Sequence, residues 1–311
     1  MRILVTGGAG FIGSHVTEAF LADGHEVAVL DNLSTGKPRN IHPDARFFEA
    51  DIRDPKAVRA VFEEFLPEVI DHHAAQIDVR KSLEDPVYDA ETNVLGTLKL
   101  ILEGVRVGTK RFIYASTGGA VYGDPATLPA SELHPVHPEC AYAVSKHTPE
   151  HYLELYRMLS DIIYVVLRYA NVFGPRQNPH GEAGVNAIFI GMMARGKVPT
   201  IYGNGEQVRD YVYVGDVARA NVLALTKGDG DIFNIGTGVP TSVNQIYEAL
   251  QKIFSFDAPA HYAAARAGEI DKIYLDAAKA GRVLGWKPQM GFYEGLKTTV
   301  DWYRSAEMTL A

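Results

Sequence analysis

The sequence predicts an α/β protein, a doubly wound parallel Rossmann sheet with a smaller mixed α/β substrate-binding lobe. Three observations lead there. Short apolar runs alternate with helical patterns through the first half, as βαβ units require. A glycine turn, Gly7-Gly8-Ala9-Gly10-Phe11-Ile12-Gly13, separates the first apolar run from the first helical one. From about Asn171 the texture changes to turn signals: Gly174-Pro175, Asn178-Pro179-His180-Gly181 and Tyr202-Gly203-Asn204-Gly205.

Taken in order, Ile3–Thr6 reads as the first strand and Ile12–Ala22 as the helix that follows the glycines. Glu26–Asp31, Arg46–Glu49, Val69–His72, Arg111–Ala115 and Ile163–Tyr169 read as further strands. Pro55–Phe65, Pro86–Val105 and Tyr142–Leu159 read as helices between them. Asp54-Pro55 and Asp85-Pro86 each combine a capping carboxylate with a proline that pre-sets the first helical φ. Right-handed crossovers then wind the sheet on both faces. The Pro86 helix carries Val87, Ala90, Val94, Leu98 and Leu102 along one side. Core packing is the expected use of that stripe, with subunit contact as the alternative. Pro149 removes one hydrogen bond within its helix and predicts a bend there. In the second half, Val185–Arg195, Thr241–Phe254 and Phe292–Arg304 read as helices and Ile232–Ile235 as a strand. We therefore expect a dinucleotide-binding unit over residues 1–170 and a substrate lobe over 171–211 and 236–311. Residues 212–235 are expected to pack back on the sheet.

The 311 residues carry a formal charge of −8 with no basic block, which argues against a nucleic-acid surface. Cys140 is the single cysteine, so neither an intrachain disulfide nor a cysteine zinc site is possible. We expect it to be buried filler. The chain enters directly on a strand, without the charged and apolar regions of a secretory leader. No apolar run approaches the ~20 residues of a membrane span. A cytoplasmic protein without a membrane anchor is the expectation. His147 and His151 are four apart on a helix, a usable zinc spacing. No acid fills the His-Glu-x-x-His pattern there, so no metal is expected.

Three glycines at this spacing have separate jobs: a tight turn, close approach of backbone to phosphate, and close packing of helix on strand. Gly7, Gly10 and Gly13, with the amides of Phe11 and Ile12, thus predict a pyrophosphate site at a helix N-terminus. Asp31 ends the second strand 18 positions beyond Gly13. A carboxylate there accepts ribose hydroxyls and repels a 2′-phosphate, which points to NAD rather than NADP. Asp51 and Ile52 are candidates for the adenine edge, with a plain turn aspartate as the alternative. Downstream, Tyr142-Ala143-Val144-Ser145-Lys146 places a phenol and an ammonium one helical turn apart. A tyrosine pKa near ~10 is too high for a base at neutral pH. The ammonium and the charge of oxidised nicotinamide both favour the phenolate. A cofactor site with such a base implies redox chemistry at an alcohol carbon.

Together with Asp31-Asn32-Leu33-Ser34-Thr35-Gly36, His72-His73-Ala74-Ala75-Gln76, Asn93, Val121-Tyr122-Gly123, Leu167–Arg176 and Arg209-Asp210-Tyr211-Val212, these motifs resemble the extended short-chain dehydrogenase/reductases. Within that family the similarity is to nucleotide-sugar 4-epimerases acting on UDP-glucose and UDP-galactose. The resemblance runs essentially end to end. It implies NAD-dependent epimerisation at C4 of a UDP-hexose through a transient 4-keto sugar. Tyr142 would remove the O4 proton, and Lys146 would hold the nicotinamide ribose. Asn32, Ala74, Ala75, Gln76 and Asn93 would line the dinucleotide. Asn171 and Val185 would contact the UDP-sugar, Tyr202 the uracil, and Arg209 the diphosphate. Arg266 with Glu269 would meet phosphate and uridine ribose. The resemblance also implies a homodimer in which the Pro86 and Tyr142 helices pair as a four-helix bundle.

One departure stands out. The family's serine or threonine three residues before Val-Tyr-Gly falls on Gly118 here. Thr117 is the expected replacement, with Ser116 or a water as fallback. The 4,6-dehydratases place an Asp-Glu pair after the threonine, where this chain has Gly118 and Gly119, so an elimination lacks its proton handlers. Other nucleotide sugars remain alternatives: UDP-N-acetylhexosamine or UDP-glucuronate as epimerase substrates, or a uronate as a decarboxylase substrate. Ile273 is the position that would gate the sugar's 2-substituent. A non-catalytic NAD-binding module is a further alternative, and the intact Tyr142/Lys146 pair argues against it.

Overall fold

The computed structural model describes residues 1–179, 184–265 and 270–310, with side chains through 305. β1 (Arg2–Thr6) leads through the glycine turn into α1 (Phe11–Ala22), followed by β2 (Glu26–Asp31), β3 (Arg46–Glu49), α2 (Pro55–Phe65) and β4 (Val69–His72). The next crossover holds α3 (Val79–Glu84), α4 (Pro86–Ala90), a π-helical turn over Glu91–Gly96 and α5 (Thr97–Val107). It delivers β5 (Arg111–Thr117), and α6 (Ala141–Leu159) delivers β6 (Ile163–Tyr169). The second half runs β7 (Asn171–Phe173), α7 (Val185–Ala194), β8 (Thr200–Tyr202), β9 (Val208–Tyr213), α8 (Val214–Ala224) and β10 (Asp231–Ile235). It ends with β11 (Pro240–Ser242), α9 (Val243–Phe254), β12 (His261–Ala263), β13 (Lys272–Ile273), α10 (Ala278–Val283) and α11 (Phe292–Leu310).

The main sheet has seven parallel strands in the order β10-β6-β5-β4-β1-β2-β3. The direction of winding reverses at β1, between β2 and β4, and a crevice at such a switch point is where open α/β sheets bind ligands. Both faces are covered, which is why the strands are nearly continuous apolar runs. Ile3, Val5, Ile113, Val165 and Leu167 pack under α1 and α8. Leu4, Ile70, Phe112 and Val166 pack under α2, α5 and α6. β10 joins the edge of this sheet against β6, and α8 lies on α1 and β6. A second core of Phe173, Phe189, Ile201, Tyr211, Tyr247 and Leu296 fills the lobe. There β9 pairs with β7, β11 and β13, while β12 pairs with β8.

The caps behave as their chemistry requires. Asp54 accepts the amides of Lys56 and Ala57, and Asp85 accepts that of Tyr88. α6 continues through Pro149 as one helix. The expectation for the Pro86 stripe is corrected. Val87 and Leu102 are exposed and Ala90, Val94 and Leu98 only half-buried. The face turned to the sheet instead carries Thr92, Asn93, Gly96, Thr97, Leu100, Ile101 and Gly104. A π-turn admits one extra residue into the helix and so rotates the apolar register that a 3.6 period predicts. Cys140 is half-buried rather than core filler.

Asp216, at the start of α8, fastens the segment before α11. It is 3% exposed, and its carboxylate accepts the amides of Gln289 and Met290 at 3.0 Å and Arg219 Nη2 at 2.8 Å. Its carbonyl accepts Trp286 Nε1 at 2.8 Å. Asp216→Ala takes the carboxylate from the Gln289 and Met290 amides and from Arg219, leaving the Trp286 bond in place, and should cost about 3 kcal/mol, read as a lower urea midpoint in equilibrium unfolding.

Candidate active site

The glycine turn leaves the backbone bare. Gly7 has φ +71°, and a Cβ there would lie 2.6 Å from the amide nitrogen of Ala74. A Cβ on Gly13 would run into the carbonyl of Gly7. α1 begins at Phe11 with Gly10 as its N-cap and no side-chain cap, so its first amides face outward for an anion. Asp31 closes β2, 7% exposed, accepting Ala9 N at 3.0 Å and Leu33 N at 2.8 Å. Burial pushes its carboxyl above the usual value, against the pull of those two amides. A Cβ on Gly36 would lie 2.8 Å from Asp31 Oδ1, so glycine lets this loop close over the carboxylate. This cradle fits a dinucleotide.

Asp51 is bound by Arg53 Nη2 at 2.7 Å and by Asn32 Nδ2 at 2.9 Å, and Arg53 holds its carboxyl well below the ordinary range. The Ile52 side chain is in the core against Gly96, so only its backbone can face a ligand. Across the switch point, Ala74 N donates to Thr6 Oγ1, which lies 2.6 Å from His72 Nδ1. His72 Nε2 lies 2.8 Å from Thr97 Oγ1, whose proton goes to Asn93 O at 2.6 Å. His72 therefore donates from Nε2 and accepts at Nδ1, and burial keeps it neutral by lowering its pKa. Asn93 then clasps the loop: its Oδ1 accepts Gln76 N at 2.8 Å, and its Nδ2 donates to Gln76 O at 2.9 Å and Ser145 Oγ at 3.0 Å.

Ser145 sits between Tyr142 and Lys146 on α6, so the Gln76 loop and the helix share one network. Thr117, at the end of β5, acts on the Tyr142 hydroxyl and works to lower its pKa. A Cβ on Gly119 would lie 3.1 Å from Asn171 Oδ1 and 4.0 Å from Thr117 Oγ1. The glycine therefore keeps a hydroxyl and an amide open to the same space. Ser116 points the other way. It is 3% exposed and donates to Glu150 Oε1 at 2.6 Å, so it does not share Thr117's place at the phenol. The Lys146 ammonium lies 4.5 Å over the ring of Tyr114, whose hydroxyl donates to Lys146 O at 3.0 Å.

Electrostatics in the site run against the simple expectation for a tyrosine base. Burial pushes the Tyr142 phenol well above its ordinary value, and Cys140 and Asp89 add to this while Thr117 opposes it. Burial also lowers Lys146 to about 7, with Glu150 and Asp89 resisting. Lys146 alone thus leaves the phenol protonated at neutral pH.

The substrate candidates lie on the lobe. Asn171 opens β7 and is in register with Tyr211 of β9, two residues after Arg209. Arg209 Nη1 donates to Val208 O at 2.8 Å, and Arg209 pairs in register with Ile273. Tyr202 ends β8, 38% exposed, and Val185 opens α7. Arg266 and Glu269 lie outside the described residues. Sequence reasoning missed Asp89, Tyr114, Ser145 and Glu150 around the pair. The only signal for Asp89 is its position one helical turn before Asn93.

The described geometry has relatives. The model of the NAD dependent epimerase/dehydratase family matches residues 3–236. A putative UDP-glucose 4-epimerase of Methanocaldococcus jannaschii is 47% identical over 99% of this chain and 100% of its own length. The crystal structure of the Thermotoga maritima UDP-glucose 4-epimerase with UDP-glucose is 47% identical, with a TM-score of 0.97 over 99% of this chain and 100% of that one. The Thermus thermophilus UDP-glucose 4-epimerase in complex with NAD is 45% identical, with a TM-score of 0.93 over 98% of this chain and 100% of that one.

The Lys146 shift has a testable sign. Its folded pKa of about 7 lies below its ordinary 10.5, so between those values the unfolded chain binds the extra proton and stability rises with pH. Below pH 7 both states are protonated and the contribution is flat. In cofactor-free protein, urea unfolding at pH 7 and pH 9 should show this rise, and Lys146→Met should diminish it.

Proposed function

This chain belongs to the NAD dependent epimerase/dehydratase family, and we propose that it interconverts UDP-galactose and UDP-glucose by NAD-dependent epimerisation at C4. The carrying observation is the grouping of Tyr142 with Thr117, which acts to lower the phenol's pKa, with Asn171 opening on the same space across Gly119 and Lys146 one turn further along α6. Full-length identity of 47% to proteins described as UDP-glucose 4-epimerases supports the same substrate.

Gly7, Gly10 and Gly13 would hold the pyrophosphate against the amides of Phe11 and Ile12, and Asp31 the adenosine ribose. Asn32, Asp51 and the Ile52 backbone would hold the adenine end, and Ala74, Ala75, Gln76 and Asn93 would line the rest of the dinucleotide. NAD, when bound, supplies reversible acceptance of hydride from C4 and a positive charge on the nicotinamide ring. That charge is what the buried phenol lacks from Lys146 alone. Tyr142 takes the O4 proton at its phenol oxygen, holds it while C4 is a ketone, and returns it to the same oxygen. Thr117 fixes the phenol and offers a second hydrogen bond to O4. Arg209, Tyr202, Asn171 and Val185 hold the nucleotide, with Arg266 and Glu269 assigned there by the sequence motif. Anchoring at the nucleotide leaves the hexose free to turn, which is what presents either face of C4. The cycle closes with no net change in the cofactor.

We also read the protein as a cytoplasmic homodimer. Val87, Leu95, Leu102, Val144, Leu155 and Met158 are exposed on the neighbouring helices α4 to α6 and on the π-turn within them, and an apolar face of that kind suits pairing with a second copy. No described helix is long and apolar enough to cross a membrane.

Purified protein given UDP-galactose and no added cofactor should form UDP-glucose without accumulating NADH. Tyr142→Phe should lower kcat by about 10²–10⁴ while bound NAD is retained. Steady NADH production in place of epimer would instead mark a dehydrogenase. Light scattering should report twice the mass of one chain, and Leu102→Glu with Met158→Glu should reduce it to one.

A further inference from the structure

Two buried carboxylates flank the Tyr142–Lys146 pair, and their charges are spent differently. Glu150, one turn beyond Lys146 on α6, receives Arg168 through Nη2 at 2.5 Å and Nε at 3.1 Å, with Ser116 Oγ at 2.6 Å. A bidentate guanidinium neutralises it. Asp89 on α4 is 1% exposed and has no cation bound to it among the described residues. Its Oδ1 accepts Gln76 Nε2 at 2.8 Å and Asn93 Nδ2 at 3.2 Å, and its Oδ2 has no hydrogen-bond partner. A buried carboxylate with one bare oxygen is costly unless a positive charge nearby compensates it. The nearest buried cation by connectivity is Lys146. Asn93 Nδ2 links Asp89 to Ser145 Oγ at 3.0 Å, and Ser145 immediately precedes Lys146. Lys146 likewise forms no salt bridge among the described residues and rests on the Tyr114 ring.

We infer that Asp89 is the counter-charge of Lys146, a positioning residue that keeps the lysine as an ammonium and thereby sets the pH range in which Tyr142 works. Among the other groups facing Lys146, His72 on β4 is neutral, Tyr114 on β5 has its hydroxyl committed, and His147 turns toward Glu150 at 3.5 Å. Glu150 also holds Lys146 up, but it shares its charge with Arg168, whereas Asp89 has no cation of its own among the described residues. Cys140, at the N-cap of α6, is raised by burial and then by Asp89. The negative charge of Asp89 holds up Lys146 and Tyr142 alike.

The inference rests on Tyr142 and Lys146 as the acid–base pair of the proposed epimerase. Asp89→Asn keeps the shape and the Oδ1 acceptor, and replaces the charged, unpartnered Oδ2 by a neutral amide nitrogen. In the NAD-loaded enzyme it should move both limbs of the kcat/KM–pH profile to lower pH, by roughly half a unit or more. The tyrosinate absorbance that Tyr142→Phe abolishes should shift with it, and Asp89→Glu should leave both near the wild-type position. A lowered kcat with unmoved limbs would make Asp89 a packing residue and overturn the inference. Thermal unfolding supplies an arm that does not depend on activity. Lys146→Met leaves Asp89 without compensation, so adding Asp89→Asn to it should raise Tm. A double variant no more stable than Lys146→Met alone also overturns the inference, even where Asp89→Asn by itself fails to fold. Failure of the epimerase reading would show separately, as wild-type protein that does not convert UDP-galactose.

Discussion

Everything the site does depends on how α6 is held to the sheet, and the buried pair between Glu150 and Arg168 holds it. Arg168 stands on β6, Glu150 on α6, and each is 3% exposed at the side chain. Ser116 of β5 donates to the same carboxylate. Arg168 Nη1 continues to Tyr122, whose hydroxyl donates to Asn234 on β10. One network thus ties three neighbouring strands and the loop after β5 to the helix that bears Tyr142 and Lys146. A buried ion pair is a poor source of net stability, because desolvation consumes most of the attraction. Its value here is registry. A helix that slid by one residue would leave both charges without partners.

The same burial that fixes the pair opposes its chemistry. A phenol largely withdrawn from water resists ionisation, and a buried ammonium sheds its proton toward neutrality. Tyr142 and Lys146 are pushed toward their neutral forms together. The site meets this by importing charge, lastingly through carboxylates that hold the lysine's pKa up and temporarily through the oxidised cofactor. Proton transfer at O4 would then be coupled to the presence of the hydride acceptor, whose charge would help the phenol ionise. Such coupling suits a reaction that must return every electron it removes.

Much of this was legible in the sequence because the governing constraints are local. The strands β2, β3, β4 and β6 and the helix α2 fall on their predicted residues, since each is bounded by an apolar run or by an Asp-Pro cap. The glycine turn and Asp31 are legible for the same reason, as their roles follow from backbone approach and strand length. The Pro86 helix was misread because its period is broken by the π-turn, and a 3.6-residue pattern cannot register an inserted residue. The lobe's ladders, β7 with β9 and β9 with β13, join segments tens of residues apart and leave no periodic trace. Asp89 was invisible because nothing in Pro86-Val87-Tyr88-Asp89-Ala90 separates a buried carboxylate from a solvated one.

The two glycines after Thr117 show how a local departure reshapes the chemistry that is possible. A Cβ at Gly118 would lie 2.5 Å from Leu275 Cδ1, forcing that side chain to shift, and 3.3 Å from the carbonyl oxygen of Arg168. Both amides of the pair turn back to Tyr169 O, at 2.8 and 3.3 Å. The backbone is therefore drawn inward at the point where an acid–base pair would have to project. Thr117, the last residue of β5, remains to face the phenol, with Asn171 beside it across the bare Gly119. A site built this way can hold and return one proton at one oxygen. Gly118 and Gly119 offer no acid to help expel a hydroxyl, which agrees with hydride and proton going back to a C4 ketone.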